Sequence, residues 1–263
     1  MNATALGLRR GWTEHLNQLS DRREMVTALA GSVGVYALLV AWLGGDTVPG
    51  ADVRMGTYLT AGFLAFTVFS TGLTGLPLMI ATDREEGVLL RARTLPRGTR
   101  VYLTGRATGV LLTIATNGVL ILLVSLPLTG GSLPASPGRW LTLAWVLTLG
   151  TLAVVPLGAA LGILLPGPKT GAALLALPTM VLLTASGVVV PLSAMPSVVR
   201  GIAQVFPLYW QALGLRAAFL PDSMLAAEIG HSWRLGQAAI VLGAWAAGGM
   251  VLAPWLLRRV RGR

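Results

Sequence analysis

Long apolar segments separated by short polar ones run through this chain. An α-helix rises 1.5 Å per residue, so about 20 apolar residues cross a hydrocarbon core about 30 Å thick. Backbone groups in lipid must bond within their own segment, which favours helices, and the alternating strands of a membrane β-barrel are absent from the sequence. The pattern predicts an all-α polytopic membrane protein with six spans, at residues 25–43, 58–81, 101–128, 140–165, 171–192 and 237–257.

Composition supports the membrane assignment and excludes several classes of protein. Of the 263 residues, 54% are hydrophobic and 11% are charged, whereas soluble domains carry about 25% charged residues. The mean hydropathy of +0.72 therefore excludes a soluble enzyme. The absence of cysteine excludes disulfides, thiolate metal sites and cysteine catalysis. The net charge of +10 could indicate nucleic acid binding, but basic residues that flank membrane spans explain it better, so we expect no nucleic acid partner.

The basic residues predict the orientation in the membrane, because cytoplasmic loops carry an excess of Lys and Arg. With the N-terminus inside, fifteen of the twenty basic residues fall on the cytoplasmic face. Only five fall outside, at Arg54, Arg139, Arg200, Arg216 and Arg234. The sequence therefore predicts that both termini are cytoplasmic.

The first 24 residues predict a separate helix before the first span. Four apolar side chains recur there at helical spacing, at Leu8, Trp12, Leu16 and Leu19. Charged residues occupy the opposite face, at Arg9, Arg10 and Glu14. Such a helix is suited to lie in the cytoplasmic lipid interface, and a disordered polar tail is the alternative. We expect two regions, an interfacial helix at 1–24 and a single six-helix transmembrane domain at 25–263.

No catalytic, metal-binding or nucleotide-binding site is expected in this chain. The segment 162–170 resembles a phosphate-binding P-loop, but Pro168 separates Gly167 from Lys169 and no strand precedes it. The serines of the spans have no histidine partner, and His15 and His231 form no metal-binding pattern. We therefore predict that the chain is not an enzyme and binds no cofactor itself.

A charged segment after the second span predicts a cytoplasmic helix at about 83–95. It begins with acids, which favour a helix N-terminus, and ends in bases before Pro96. A merely solvated run of charges is the alternative. The order of acids, Gly87, leucines and arginines instead favours a short helix that docks on a soluble partner.

A second informative region follows the fifth span, at about 193–220. Two apolar pieces, each too short to span, are separated by Phe206 and Pro207. They predict a broken re-entrant hairpin at the outer leaflet. The residues that mark it are Pro191, Met195, Pro196, Phe206, Pro207 and Arg216.

Together these two regions resemble the permease subunits of ABC type-2 transporters, in particular those that export drugs or antibiotics. The family's coupling segment reads roughly E-R-E-x-G-T-L-E-R-L, then a Pro. Residues 83–96 match it, with departures at Asp83, Val88, Leu90 and Ala92. The resemblance covers nearly the whole chain and implies an interfacial N-terminal helix, six spans, a coupling helix and an outer hairpin.

The resemblance also implies partners and functional residues. Such permeases work as dimers beside separate ATP-binding subunits, which bind ATP and Mg; in bacteria they lie in the plasma (inner) membrane. By analogy, the ATPase-coupling residues are Asp83, Arg84, Glu85, Glu86, Gly87 and Arg91. The implied pathway-lining residues of span two are Phe66, Phe69, Ser70, Leu73 and Pro77. Most of the mildly polar residues of spans two and three are expected to bond within the bundle, and Asn117 is the best single candidate among them to line a path. In span four, Gly158 and Gly162 favour close packing within the chain.

Compact loops and apolar spans favour export of a hydrophobic or amphipathic small molecule. Within the same family, the cargo could instead be a polysaccharide, a lipid-linked glycan or a peptide. Aromatic residues, which stack on sugars, make up only 6% of the chain. A membrane scaffold or immunity protein, which would need no ATPase, is a third possibility.

Overall fold

The computed structural model describes residues 2–22, 26, 29–130 and 133–260, which fold into helices around a central membrane-length helix. No β-strand occurs among the described residues, where the only bridge pairs Thr47 with Arg54. The all-α prediction is therefore confirmed. The helices are α1 (Ala3–Ser20), α2 (Gly34–Leu43), α3 (Met55–Glu85), α4 (Val88–Thr94), α5 (Gly98–Thr129), α6 (Pro137–Leu164), α7 (Pro168–Ala185), α8 (Ser197–Ala203), α9 (Pro207–Phe219) and α10 (Leu235–Val260).

Five of these helices, α3, α5, α6, α7 and α10, are long and apolar enough to cross a membrane. They confirm five of the six predicted spans. The first predicted span, 25–43, lies partly outside the described residues, and its apolar described part, Gly31–Leu43, is shorter than a span. That span therefore stays a prediction.

Two predicted boundaries are wrong, and in both cases a glycine with positive φ explains the difference. Span five was expected to reach residue 192, but α7 ends at Ala185 because Gly187 adopts φ +72°. The coupling helix was expected as one helix over 83–95. Instead, residues 83–85 form the last turn of α3, Gly87 breaks the helix at φ +72°, and α4 starts at Val88.

Helix α3 forms the centre of the bundle. Nearly every residue between Gly56 and Phe69 is buried against α2, α5, α6 and α9. A wider π-helical turn, Thr71–Gly75, lies in the middle of α3. Within this turn, the Gly72 carbonyl oxygen would lie only 1.8 Å from a Cβ on Gly158 of α6. The close packing within the chain that was expected from the glycines of α6 is thus confirmed.

Two helices cover the flanks of the bundle. Helix α1 packs along α5 through its small residues Gly7 and Gly11, and its four apolar side chains are exposed. Helix α10 packs along α6. In contrast, Gly171 is the only fully buried residue of α7, and its other residues are exposed or partly buried. The α7 side chains most exposed are Leu174, Leu177, Met180 and Val181.

Candidate functional site

The end of α3 is tied to two other helices by a buried ionic network. The Asp83 carboxylate accepts two bonds from the Arg106 guanidinium of α5, Nε–Oδ2 2.7 Å and Nη2–Oδ1 2.6 Å. The Tyr102 hydroxyl donates to the same Oδ2 at 2.6 Å. Arg106 also pairs with Glu14 of α1 at 3.2 Å, and Glu14 pairs with Arg10 at 2.7 Å. The network therefore fixes α1, α3 and α5 to one another at this end, which we call the Asp83 end.

Arg84 fixes the same turn of α3 to a fourth helix. Its guanidinium donates to the carbonyl oxygens of Ile163, at 2.7 Å, and of Leu165. These carbonyls lie at the C-terminus of α6, where the last turn of a helix leaves its acceptors without partners in the helix. Asp83 and Arg84, both predicted as ATPase-coupling residues, thus bond within the chain.

The other predicted coupling residues lie on the outside of α4 and the turn before it. Glu85 and Glu86 are exposed, and the Arg91 guanidinium donates to the Glu86 carbonyl oxygen at 3.0 Å. Gly87 supplies the left-handed turn that directs α4 away from α3. The buried side of α4 carries Ala92, and its outer side exposes two leucines and the charges. This exposed surface, which we call the α4 face, consists of Glu86, Leu90, Arg91 and Leu95.

A cavity of about 860 Å³ lies beside the ionic network, between α1, α3 and α5. Most of its surface is apolar. Two of the predicted pathway residues, Ser70 and Asn117, line it together with the π-helical turn of α3. Arg106 and Glu14 lie at its polar end.

The other predicted pathway residues do not line this cavity. Phe69 and Pro77 are buried inside the bundle, Pro77 beside the glycines of α6. Leu73 and Phe66 are partly buried, and the Phe66 ring packs edge-on against Phe63. The structure therefore divides the predicted set between the cavity wall and the packed core.

His15 of α1 is a cavity residue that sequence reasoning missed. Its side chain is buried, and its Nε2 lies 2.9 Å from the Thr116 hydroxyl. Burial lowers the pKa of His15 below the ordinary value of 6.5, so the neutral imidazole is favoured. Its Nδ1 has no hydrogen-bond partner. The clue in the sequence was its place on the small-residue face of α1, four residues after Gly11.

A second buried ion pair fixes the opposite end of the bundle. Arg216 of α9 is completely buried and its Nε lies 2.5 Å from the Glu228 carboxylate. The Gly187 carbonyl oxygen accepts bonds from Arg216, at 2.9 Å, and from the Tyr58 hydroxyl, at 2.5 Å. Burial alone would lower the pKa of Arg216, but Glu228 overcomes this and raises it, so the guanidinium stays charged. This is the Arg216 end.

The remaining hairpin residues shape the segment around Arg216. Pro196 immediately precedes α8, and Pro207 occupies the first turn of α9, where a missing backbone donor costs nothing. The Phe206 ring stacks on Trp245 of α10, with centroids 6.5 Å apart. Met195 packs in the cluster between α6, α9 and α10, and Pro191 precedes a short 3₁₀ turn at Leu192–Ala194. These contacts hold α9 inside the bundle.

Among the described residues, no group of three or more His, Asp or Glu side chains could hold a metal ion.

Comparison with known proteins agrees with the resemblance found in the sequence. The family model described as "ABC-2 type transporter" matches residues 12–220, which include the Asp83 end, the α4 face and α9. The chain is also similar to a protein of Porphyra purpurea named "Putative transport permease ycf38". The two are 30% identical over 202 residues, which are 74% of this chain and 68% of that protein.

Proposed function

Because the chain belongs to the ABC-2 type transporter family, we propose that it is the permease subunit of an ATP-driven exporter. Family members are membrane components of transporters and work with an ATP-binding cassette partner. In this proposal the chain moves a hydrophobic or amphipathic small molecule, of the drug or antibiotic kind, out across a bacterial plasma membrane. ATP and Mg are bound by the separate ATPase subunit.

The observation that carries the proposal is the contrast between the two sides of the Asp83 end. On the inner side, Asp83 and Arg84 bond to α5 and α6. On the outer side, the α4 face leaves Glu86, Arg91 and two leucines exposed. A partner can drive a conformational equilibrium only if it binds the two states differently. The α4 face directly follows the turn of α3 that bonds to α5 and α6, so binding there would pass such a difference to the bundle.

A second copy of the chain is part of the proposal. The nearly unburied apolar face of α7 is suited to pack against another permease, and lipid would cover the rest. The positive-inside rule would place the Asp83 end and both termini in the cytoplasm, with the Arg216 end outside.

The proposal is tested by purifying the chain with the ATP-binding protein encoded beside its gene. We expect the two to co-purify and to export a hydrophobic dye from cells in an ATP-dependent way. The double change Glu86→Arg with Gly87→Pro should abolish both, because it reverses a charge and proline cannot adopt the φ of Gly87.

The matched control is Asp52→Arg, an equal charge reversal in the exposed loop at the opposite end of α3. It should retain co-purification and export. If no ATPase binds the original chain, the exporter proposal is wrong and a membrane scaffold is favoured. If the ATPase binds and only glycans or peptides are moved, the cargo class is wrong.

A further inference from the structure

We infer that the cavity between α1, α3 and α5 is a cargo site for an amphiphile with an uncharged, hydrogen-bonding head group. The inference rests on the proposed export function, because it names the cargo of that exporter. Its volume of about 860 Å³ falls within the range of about 300–1,000 Å³ that is usual for small-molecule sites.

The cavity has an apolar part suited to a hydrocarbon tail. Leu19, Met79, Val110 and Leu120 lie in its wall, and most of the lining surface is apolar. The wall extends from Arg106 to Leu120 on α5, about four helical turns. An extended alkyl chain of drug-like length can lie along this distance.

The polar part of the cavity offers hydroxyl groups in place of free charges. Ser70 and the π-helical turn that follows it place three hydroxyl groups in the wall, at Ser70, Thr71 and Thr74, and α5 adds Thr113 and Thr116. Thr74 also bonds to Thr179 and Thr116 to His15, and each hydroxyl keeps further hydrogen-bonding capacity. A π turn inside an α-helix is a frequent feature of functional sites. Hydroxyl groups both donate and accept, so they match a head group made of alcohols or amides.

The charges at the polar end already compensate one another. Arg106 is paired with Asp83 and Glu14, and Glu14 is also paired with Arg10. Two cations and two anions therefore satisfy each other within the chain. A charged head group would find no free counterion there, and burying an unpaired charge is strongly unfavourable. An uncharged head group avoids that cost.

His15 supplies an unfilled hydrogen-bonding position in the same wall. Its side chain is 6% exposed, its Nε2 contacts Thr116, and its Nδ1 has no partner. A buried polar atom without a partner is rare and destabilising. Nδ1 has almost no accessible surface, so a hydroxyl or amide of the ligand would satisfy it once the imidazole turns toward the cavity.

Gly109 provides a way to block the cavity without disturbing the fold. It lines the cavity one turn after Arg106, and a Cβ built on it would meet no atom within 4 Å. Gly243 of α10 is its matched control, since it is also half-buried, helical and free of atoms within 4 Å. Tryptophan at position 109 should fill the cavity, whereas tryptophan at 243 should leave it open.

The test uses a monoacylglycerol with a photoreactive diazirine in its acyl chain, added to the purified chain with and without its ATPase. We expect labelling of α5, reduced about tenfold in Gly109→Trp and unchanged in Gly243→Trp. The same tail with a sulfate or a trimethylammonium head should label at least about tenfold more weakly. The monoacylglycerol should also stimulate ATP hydrolysis by the original complex and by Gly243→Trp, but not by Gly109→Trp.

Each contrary result overturns a defined part of the inference. Labelling that survives Gly109→Trp means that the ligand lies elsewhere, and stronger labelling by a charged probe means that the head-group class is wrong. Labelling without stimulation of ATP hydrolysis means that the cavity holds a resident lipid and not cargo. A failure of the original chain to bind any ATPase would instead count against the exporter proposal, since photolabelling of the permease alone does not need the ATPase.

Discussion

Arg106 of α5 donates two parallel hydrogen bonds, of 2.6 and 2.7 Å, to the Asp83 carboxylate at the end of α3, although 23 positions separate the two residues in the sequence. The side chain of Asp83 is only 7% exposed and that of Arg106 17%. The pair therefore joins the end of α3, which leads into α4, to α5, the helix that follows α4. Loss of either partner leaves a buried charge incompletely compensated.

We predict that Asp83→Asn lowers the free energy of unfolding by about 3 kcal/mol. The double change Asp83→Leu with Arg106→Met should be less damaging, because neither charge is then left unpaired. The control is Asp222→Asn, whose carboxylate is 75% exposed and lies 3.7 Å from Arg139. It should cost at most about 1 kcal/mol. Thermal unfolding of the three purified variants measures these losses of stability. Equal losses for Asp83→Asn and Asp222→Asn would contradict the prediction.

The packing of α1 on α5 should weaken in acid. The pKa of His15 is lower in the folded state than its ordinary value of 6.5, so the unfolded state binds more protons below that pH. Stability is therefore complete above about pH 6.5 and falls as the pH drops below it. Thr116 contacts the imidazole, and Glu14 and Arg106 are the charged groups that line the same cavity.

Hydrogen exchange of the α1 amides measures this effect across the pH range. We expect faster exchange in acid for the original chain and a flat profile for His15→Gln, which cannot titrate. Glu14 is retained in both proteins, so its own protonation would affect them equally. Identical acid sensitivity of the two proteins would rule out His15 as the cause.

The exposed face of α7 should lie between two copies of the chain. Leu177 of α7 and Ile240 of α10 are equally exposed, at 72%, and both would lie within the membrane. Since the chain has no cysteine, Leu177→Cys and Ile240→Cys each introduce a single thiol. A short thiol-reactive crosslinker should link two copies of Leu177→Cys in membranes and not two copies of Ile240→Cys. The reverse result would place the dimer interface on α10.

The two ends of α3 should lie on opposite sides of the membrane. Thr47 precedes α3 and Thr94 closes α4, and both side chains are exposed. A membrane-impermeant maleimide should label Thr47→Cys in intact cells and Thr94→Cys only in inside-out vesicles. Labelling of both residues from the same side would contradict the predicted orientation.

The sequence predicted the membrane-length helices because lipid imposes a long apolar run that can be seen directly in the residues. It could not predict where α7 ends, since apolar residues continue from Val188 to Val190, and only the backbone of Gly187 shows the break. The sequence places Gly87 in the charged segment but does not show that its backbone adopts a left-handed turn. It therefore predicts one helix over residues 83–95. In both places the decisive variable is a backbone angle, which hydropathy does not report.

The same limit applies to the candidate site. Asp83 was assigned to a partner because it stands in a charged segment, whereas its bonds within the chain depend on Arg106, which was counted only as one of the cytoplasmic charges. An arginine beside an apolar run needs an acid to compensate it, but that rule alone does not choose among Glu14, Asp83, Glu85 and Glu86. Ser70 was placed on the pathway by the resemblance and Asn117 by its polarity within a span, and their role in transport stays a prediction. The cavity that they share could be found only from the packing of three helices.

Helix α3 has consequences for motion because both of its ends are held. Its 31 residues, Met55–Glu85, extend about 46 Å. Tyr58, which contacts Arg216, lies near one end, and Asp83, which pairs with Arg106, lies near the other. Because both ends of α3 are held, the helix cannot tilt at one end without straining the contacts at the other. We expect α3 to bend most easily at the wider turn, Thr71–Gly75, which forms part of the cavity wall. A displacement of the α4 face by the ATPase would therefore deform α3 beside the proposed cargo site. This deformation would couple the volume of the cavity to the position of the ATPase.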